Sequence, residues 1–160
     1  VNVNKIGIVD FRYILKKSNA IKTLGNKFLM FEKKINEKVK LKQSELKRKE
    51  KKILRNKKKL TEYQFKKQIK LLKEEVFKTQ KEYKEERTLL NQSFQKIQKK
   101  IKDLLAQVIK DVSKKRNINV VLLKENVFLF NDASIDFTNQ VLNLFNDKTK
   151  SLSITITLNN

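Results

Sequence analysis

Leu60-Thr61-Glu62-Tyr63-Gln64-Phe65 interrupts an otherwise regular run of helix-forming sequence. Thr61 with Gln64 three residues later is a capping box, in which each side chain accepts a hydrogen bond from the other residue's backbone N–H. A helix therefore starts at Glu62. Lys57, Lys58 and Lys59 fit the last turn of a preceding helix, where exposed carbonyls favour positive charge. Outward from this point, apolar residues recur every seven positions on both sides. Val39, Leu46, Ile53 and Leu60 form one series; Ile69, Val76, Tyr83, Leu90, Ile97 and Leu104 form the other. From Leu90 a second series, Phe94, Ile101 and Val108, interleaves with the first, and two interleaved heptad series make a coiled-coil seam. The two sides mirror each other. Ile53 with Ile69, Leu46 with Val76, Val39 with Tyr83 and Phe28 with Phe94 are all centred on residue 61. The sequence thus predicts an antiparallel helical hairpin with its tip near Thr61. One continuous helix is the rival reading, and it predicts no mirror.

The hairpin arm spans 28–94, each helix projecting roughly 50 Å at about 1.5 Å per residue. Val39, Leu46, Ile53, Ile69, Val76 and Tyr83 are its expected seam. One apolar residue per heptad is a thin seam, so the distal arm should open easily. Around Phe28, Phe31, Ile35 and Leu90–Val112 the apolar density doubles, marking the junction with a packed body made from 1–27 and 95–160. Lys5-Ile6-Gly7-Ile8-Val9-Asp10 reads as a strand followed by a helix over Phe11–Lys17, with Asp10 as its N-cap. Asn117–Leu123 and Val127–Phe130 read as two strands of a hairpin turning at Lys124-Glu125-Asn126. Their apolar character on both faces predicts that both faces are covered. Asp136 caps a further helix bearing Phe137, Val141, Leu142 and Phe145. Ser151–Leu158 alternates polar and apolar residues and reads as a strand with one apolar face. The expected fold class is α+β: a small β body carrying a long antiparallel α-helical hairpin.

Composition excludes several chemistries. The 160 residues hold no Cys, His, Trp or Pro, and the glycines are Gly7 and Gly25 alone. Zinc fingers, thiolate or imidazole metal sites, Cys or Ser–His nucleophiles and glycine-rich phosphate loops are therefore ruled out. Carboxylate neighbours such as Glu74-Glu75 and Glu85-Glu86 lie among lysines as solvated ion pairs. No cofactor, metal or enzymatic activity is expected. No stretch reaches the roughly 18 consecutive apolar residues of a membrane helix. The chain opens at Val1, which is compatible with a removed leader.

The 39 Lys and Arg outnumber 17 Asp and Glu, a formal charge of +22. Residues 33–87 hold 22 basic and nine acidic side chains, whereas 117–160 hold three and four. The positive charge belongs to the arm.

In order and spacing, Lys5–Asp10 before a short helix, Leu60–Phe65 at the hairpin tip, and Asn117–Leu122 leading to Asp136-Phe137-Thr138 resemble the OmpH/Skp family of periplasmic chaperones. The resemblance covers about residues 4–146. It implies a jellyfish-like homotrimer whose strands build a common body and whose arms surround a cavity. It also implies an ATP-independent holdase for unfolded outer-membrane β-barrel proteins, in the periplasm. Ser151–Leu158 lies beyond the family pattern. The family's lipopolysaccharide site has no motif that can be placed here.

A basic cage attracts unfolded, acidic clients over a Debye length of about 8 Å, and scattered apolar groups hold them weakly. The expected client-binding residues are Lys49, Lys52, Lys57, Lys58, Lys59, Phe65, Lys66, Lys67, Lys70, Lys73 and Phe77, with Leu71 and Leu72 among the apolar contacts. The expected body and trimer residues are Ile6, Ile8, Val120, Val121, Leu122, Val127 and Leu129. An anionic membrane surface or lipopolysaccharide also suits this charge. The alternative is a basic nucleic-acid-binding coiled coil. Arginine is restricted to Arg12, Arg48, Arg55, Arg87 and Arg116, so DNA binding would be non-specific and lost steeply with salt.

Overall fold

The structure, a computed structural model, describes residues 5–156. Its elements are β1 (Ile6–Val9), α1 (Phe11–Lys17), α2 (Asn19–Arg55), α3 (Glu62–Lys115), β2 (Val120–Leu123) and α4 (Thr138–Thr149). They form two compact units, one of residues 5–27 with 94–156 and one of 28–93. The helices α2 and α3 each contribute to both.

In the first unit, local chemistry sets the helix ends. Asp10 Oδ1 accepts from the Tyr13 N–H at 3.0 Å, capping α1 as its sequence predicts. Ser18 ends α1 through its N–H on Ile14 O, and its hydroxyl accepts from the Ile21 N–H at the start of α2. Asn117 closes α3 in the left-handed region, φ 56°. The Ile118 N–H reaches Ser113 O at 2.8 Å and the Asn117 N–H reaches Lys114 O at 3.2 Å. That pair of bonds is a Schellman motif. Asn117 is therefore a helix stop and not part of a strand, and β2 begins three residues later.

The strand pairing differs from the expected hairpin. β2 runs parallel to β1, with Ile6 opposite Val120, Gly7 opposite Val121, Ile8 opposite Leu122 and Val9 opposite Leu123. Lys124–Asn126 coil into a 3-10 turn, Val127 donates back to Lys124 O at 3.1 Å, and residues 127–130 form no strand. With its backbone turned locally, this stretch never lies alongside β2. On its other side β1 bridges to Asp136, and the Phe137 N–H donates to Ile8 O at 3.0 Å. Asp136 Oδ1 accepts from the Thr138 N–H at 3.0 Å, but the N-cap of α4 is Phe137 and not the expected Asp136, which stands one residue earlier and holds the turn into the helix. β1 is thus enclosed on both edges, while the outer edge of β2 has no strand partner among the described residues.

Ile8, Val9, Ile14, Leu24, Ile101, Leu105, Val112, Phe137, Val141 and Phe145 fill the core of this unit. The expected C-terminal strand is absent over the described part of that stretch, 151–156; Thr157 and Leu158 lie outside the described residues. The alternation nevertheless survives as burial: Ile154 and Ile156 are buried, Ser153 and Thr155 exposed.

Gly7 is where a backbone must approach closely. A Cβ there would stand 2.7 Å from Phe137 Cε1 and 3.0 Å from Ile118 Cδ1. Gly7→Ala should therefore lower stability by about 1–3 kcal/mol through overpacking. Gly25→Ala meets nothing within 4 Å inside α2 and should raise stability by about 0.5–1 kcal/mol. Urea midpoints of the two variants should move in opposite directions.

In the second unit, the capping box forms reciprocally. Gln64 N–H donates to Thr61 Oγ1 at 3.1 Å and Thr61 N–H to Gln64 Oε1 at 3.0 Å. α2 stops at Arg55, and Lys57–Lys59 form a separate 3-10 turn instead of its last turn. The chain then reverses, since four polar links tie α2 to α3 in antiparallel order. Lys49–Glu75 at 2.9 Å and Lys38–Glu86 at 2.7 Å are centred on residue 62. Tyr83–Asn36 at 3.0 Å and Arg87–Glu32 at 2.7 Å are centred between 59 and 60. They flank the axis at 61 on both sides, which a continuous helix cannot do.

Candidate functional site

The seam positions differ in burial. Leu46 is buried, with Ile35 and Leu90. Val39, Ile53, Ile69 and Tyr83 are half-buried, and Val76 is 37% exposed. The second heptad line on α3, offset by three, is Phe65, Leu72, Thr79 and Glu86, and Thr79 is buried. A cavity of about 630 Å³ lies there, lined by Ile35, Val39, Lys42, Thr79, Tyr83 and Glu86. Two of its four members, Thr79 and Glu86, are polar, so this line carries no clear heptad signal in the sequence. Thr79 donates its hydroxyl to Glu75 O in its own helix at 2.8 Å, so an apolar replacement strands no partner. Thr79→Leu should stabilise the arm by about 0.5–2 kcal/mol. Slower amide hydrogen exchange in residues 36–46 and 76–86 would register it; unchanged exchange would show that the cavity does not limit arm stability.

Some of the expected binding lysines are paired with carboxylates or an aromatic ring. Lys49 is held by Glu75 at 2.9 Å and Glu45 at 3.7 Å. Hydrogen bonding to Glu75 raises the Lys49 pKa above the ordinary lysine value and lowers that of Glu75. The Lys38 ammonium is likewise raised by its hydrogen bond to Glu86. Lys66 pairs with Glu62 at 3.1 Å, and Lys57 lies 5.0 Å over the half-buried Phe65 ring. Lys52, Lys58, Lys59, Lys67, Lys70 and Lys73 are exposed, as are Phe77 (70%) and Leu71 (50%), while Leu72 is half-buried. The structure adds Tyr63, 75% exposed. Tyr63, Lys70, Phe77 and Lys84 stand seven residues apart on α3, two helical turns each, and all four are exposed. They make one stripe of alternating aromatic and basic side chains. The heptad count could have found Tyr63, but its place beside the capping box drew the reading to the turn. Leu41 and Leu54 on α2 are also exposed off the seam.

The expected body residues divide sharply. Ile8 is buried in the chain's own core, and Val121 and Val127 are half-buried. Ile6, Val120, Leu122 and Leu129 are exposed by 49%, 47%, 40% and 70%, with Leu123 and the fully exposed Phe128 beside them in sequence. The expectation that both strands are covered on both faces therefore fails for β2 within one chain. Nearby, Lys124 pairs with Asp136 at 3.3 Å. Burial pushes the Asp136 carboxyl up, but hydrogen bonds from Thr138 and the Lys124 ammonium outweigh it, and its pKa lies below the ordinary aspartate value. A depressed carboxylate stabilises the fold above its unfolded pKa, about 3.9. That contribution is lost as pH falls through the lower folded value. Acid melting below about pH 4 should be shallower in Asp136→Asn than in the parent.

A family model described as outer membrane protein (OmpH-like) matches residues 5–145. The chain belongs to the OmpH-like family. Its fold also matches the crystal structure of a proposed outer membrane chaperone (OmpH-like) from Caulobacter crescentus. The TM-score is 0.85 at 17% identity, over 96% of this chain and 90% of that one. Comparison with curated protein sequences finds no match. Among the described residues of this OmpH-like chain, no cluster of acidic side chains is arranged to hold a metal, and no helix is long and apolar enough to cross a membrane.

Proposed function

We propose that this OmpH-like chain is an ATP-independent holdase chaperone that keeps unfolded outer-membrane β-barrel proteins from aggregating in the periplasm. The observation that carries the reading is the exposed stripe Tyr63, Lys70, Phe77 and Lys84 on a strongly basic arm. Aromatic rings at two-turn spacing offer apolar contacts too dispersed to form a stable core. The lysines between them attract acidic chains, and their cationic groups also suit aromatic client side chains. Many weak contacts hold a client without fixing one conformation. Lys52, Lys57, Lys58, Lys59, Lys67 and Lys73 extend the basic surface of this arm. The same charge suits an anionic membrane or lipopolysaccharide.

The working unit is a homotrimer, its body drawn from 1–27 and 95–160 and its arm from 28–94. The exposed apolar edge of β2 and the neighbouring Phe128 and Leu129 support assembly, because an uncovered apolar edge is an aggregation hazard for a monomer. Light scattering should give a particle near three times 19.0 kDa. Mixed with an outer-membrane barrel protein diluted from urea, the trimer should suppress turbidity at equimolar ratio, more weakly at high salt. Tight DNA binding at physiological salt together with no suppression would make it a nucleic-acid binder instead.

A further inference from the structure

Residues 151–160, Ser-Leu-Ser-Ile-Thr-Ile-Thr-Leu-Asn-Asn, contain no charged side chain in a chain of net charge +22. They lie beyond the family match, which ends at 145. Leu152, Ile154, Ile156 and Leu158 alternate with polar residues, the pattern of a strand in a membrane barrel. The first unit treats the described part of this segment, residues 151–156, as a ligand with two kinds of anchor. Ile154 and Ile156 are each 5% exposed, while Ser153 and Thr155 face outward. The Lys27 ammonium donates to Ile154 O. The Leu152 N–H turns back onto Thr149 O at 3.0 Å, and residues 152–156 join no strand ladder.

A built-in strand would be tied at alternate peptides along its length. Among the described residues, 152–156 are held by two buried apolar side chains and one ammonium, so they can leave without breaking a sheet. Each anchor is generic. Burial of apolar side chains at alternate positions reads a pattern, and a cation on a main-chain carbonyl reads any backbone. We propose that the surface beneath Ile154 and Ile156 is a receptor for extended, uncharged segments alternating apolar and polar residues, which the chain's own tail occupies as an internal stand-in. Naming the incoming segment as a strand of an unfolded barrel protein rests on the holdase reading; the receptor itself does not. The tether gives the tail an effective concentration of the order of millimolar. The tail therefore covers an apolar surface when no client is present and yields to a segment that arrives at high local concentration.

Truncation after Thr149 opens the receptor. A fluorescein-labelled peptide of residues 151–160 should bind the truncated chain at least about tenfold more tightly than the full chain, as relief from a tethered competitor requires. The same peptide should bind full-length Ile154→Ser/Ile156→Ser with a similar gain. A peptide of identical composition with its four apolar residues adjacent should show no gain. Equal binding to all proteins, or binding to none, overturns the receptor. Loss of cooperative melting in both variants overturns it too, since the tail would then be part of the core. Aggregation of a barrel protein with the full chain reports separately on the holdase reading. Peptide binding without suppression keeps the receptor and removes the barrel client, whereas suppression without peptide binding does the reverse.

Discussion

Phe137→Ala should lower the stability of the first unit by about 3–5 kcal/mol, the usual cost of emptying a buried aromatic site. Phe137 is 2% exposed and joins three parts of the unit. Its N–H donates to Ile8 O at 3.0 Å, tying the start of α4 to β1. Its ring lies against the face of Gly7, so closely that no Cβ fits there. The Arg116 guanidinium, just past α3, stands 5.8 Å from the ring centroid. Alanine keeps the backbone bond and loses the rest. The neighbours cannot close the gap cheaply, because Ile8 and Val9 are fixed in the β1–β2 ladder. Phe137→Leu refills part of the volume and should cost markedly less, within the roughly 1.5 kcal/mol typical of near-conserved volume or modestly above it. Urea unfolding followed by circular dichroism, with the arm's helical signal subtracted as a separate transition, measures both. A loss below 1 kcal/mol for Phe137→Ala would mean that the junction of β1, α3 and α4 is held by other contacts.

The features legible in the sequence are those decided by neighbours in the chain. Thr61 and Gln64 announce their hairpin because a capping box is complete within four residues, and Asp10 announces α1 for the same reason. The heptads survive translation into structure because helical period and side-chain facing are local geometry. Strand pairing was not legible. Val120–Leu123 and Val127–Phe130 are both apolar, and proximity argued for a hairpin. The partner of β2 is instead β1, more than 100 residues earlier, brought alongside by the helical excursion between them. Nothing local in Ile6–Val9 records that choice. Asn117 misled for a different reason: a left-handed stop for α3 adjoins a β-rich run and reads as its first residue. Within the candidate site, charge placed the basic arm correctly. Which lysines stay available depended on cross-helix carboxylates. Lys49 finds Glu75 and Glu45, whereas Lys70 finds no ion-pair partner within reach among the described residues.

Leu122→Lys should convert the proposed trimer to a folded monomer. Leu122 lies mid-strand in β2, opposite Ile8, and is 40% exposed on a strand whose outer edge is unpaired among the described residues. Natural edge strands usually carry a charge, a proline or a bulge that blocks pairing with another chain. Val120-Val121-Leu122-Leu123 carries none of these. In a chain with 39 basic residues their absence here is informative, because lysine was abundant and was kept off this edge. Val120, Leu123, Phe128 and Leu129 extend the exposed apolar surface. A lysine at 122 enters a threefold assembly as three buried like charges, each costing several kcal/mol without a partner. That exceeds what a small interface can absorb. In the monomer the same lysine reaches water, so the fold should be kept. Sedimentation should show 19.0 kDa for the variant where the parent runs near three times that mass, with unchanged helical circular dichroism. Tyr63→Lys, which adds the same charge on the arm, should leave the mass unaltered and weaken client holding instead. If Leu122→Lys assembles like the parent, the β2 edge is not the interface, and the exposed Phe128–Leu129 stretch becomes the surface to test.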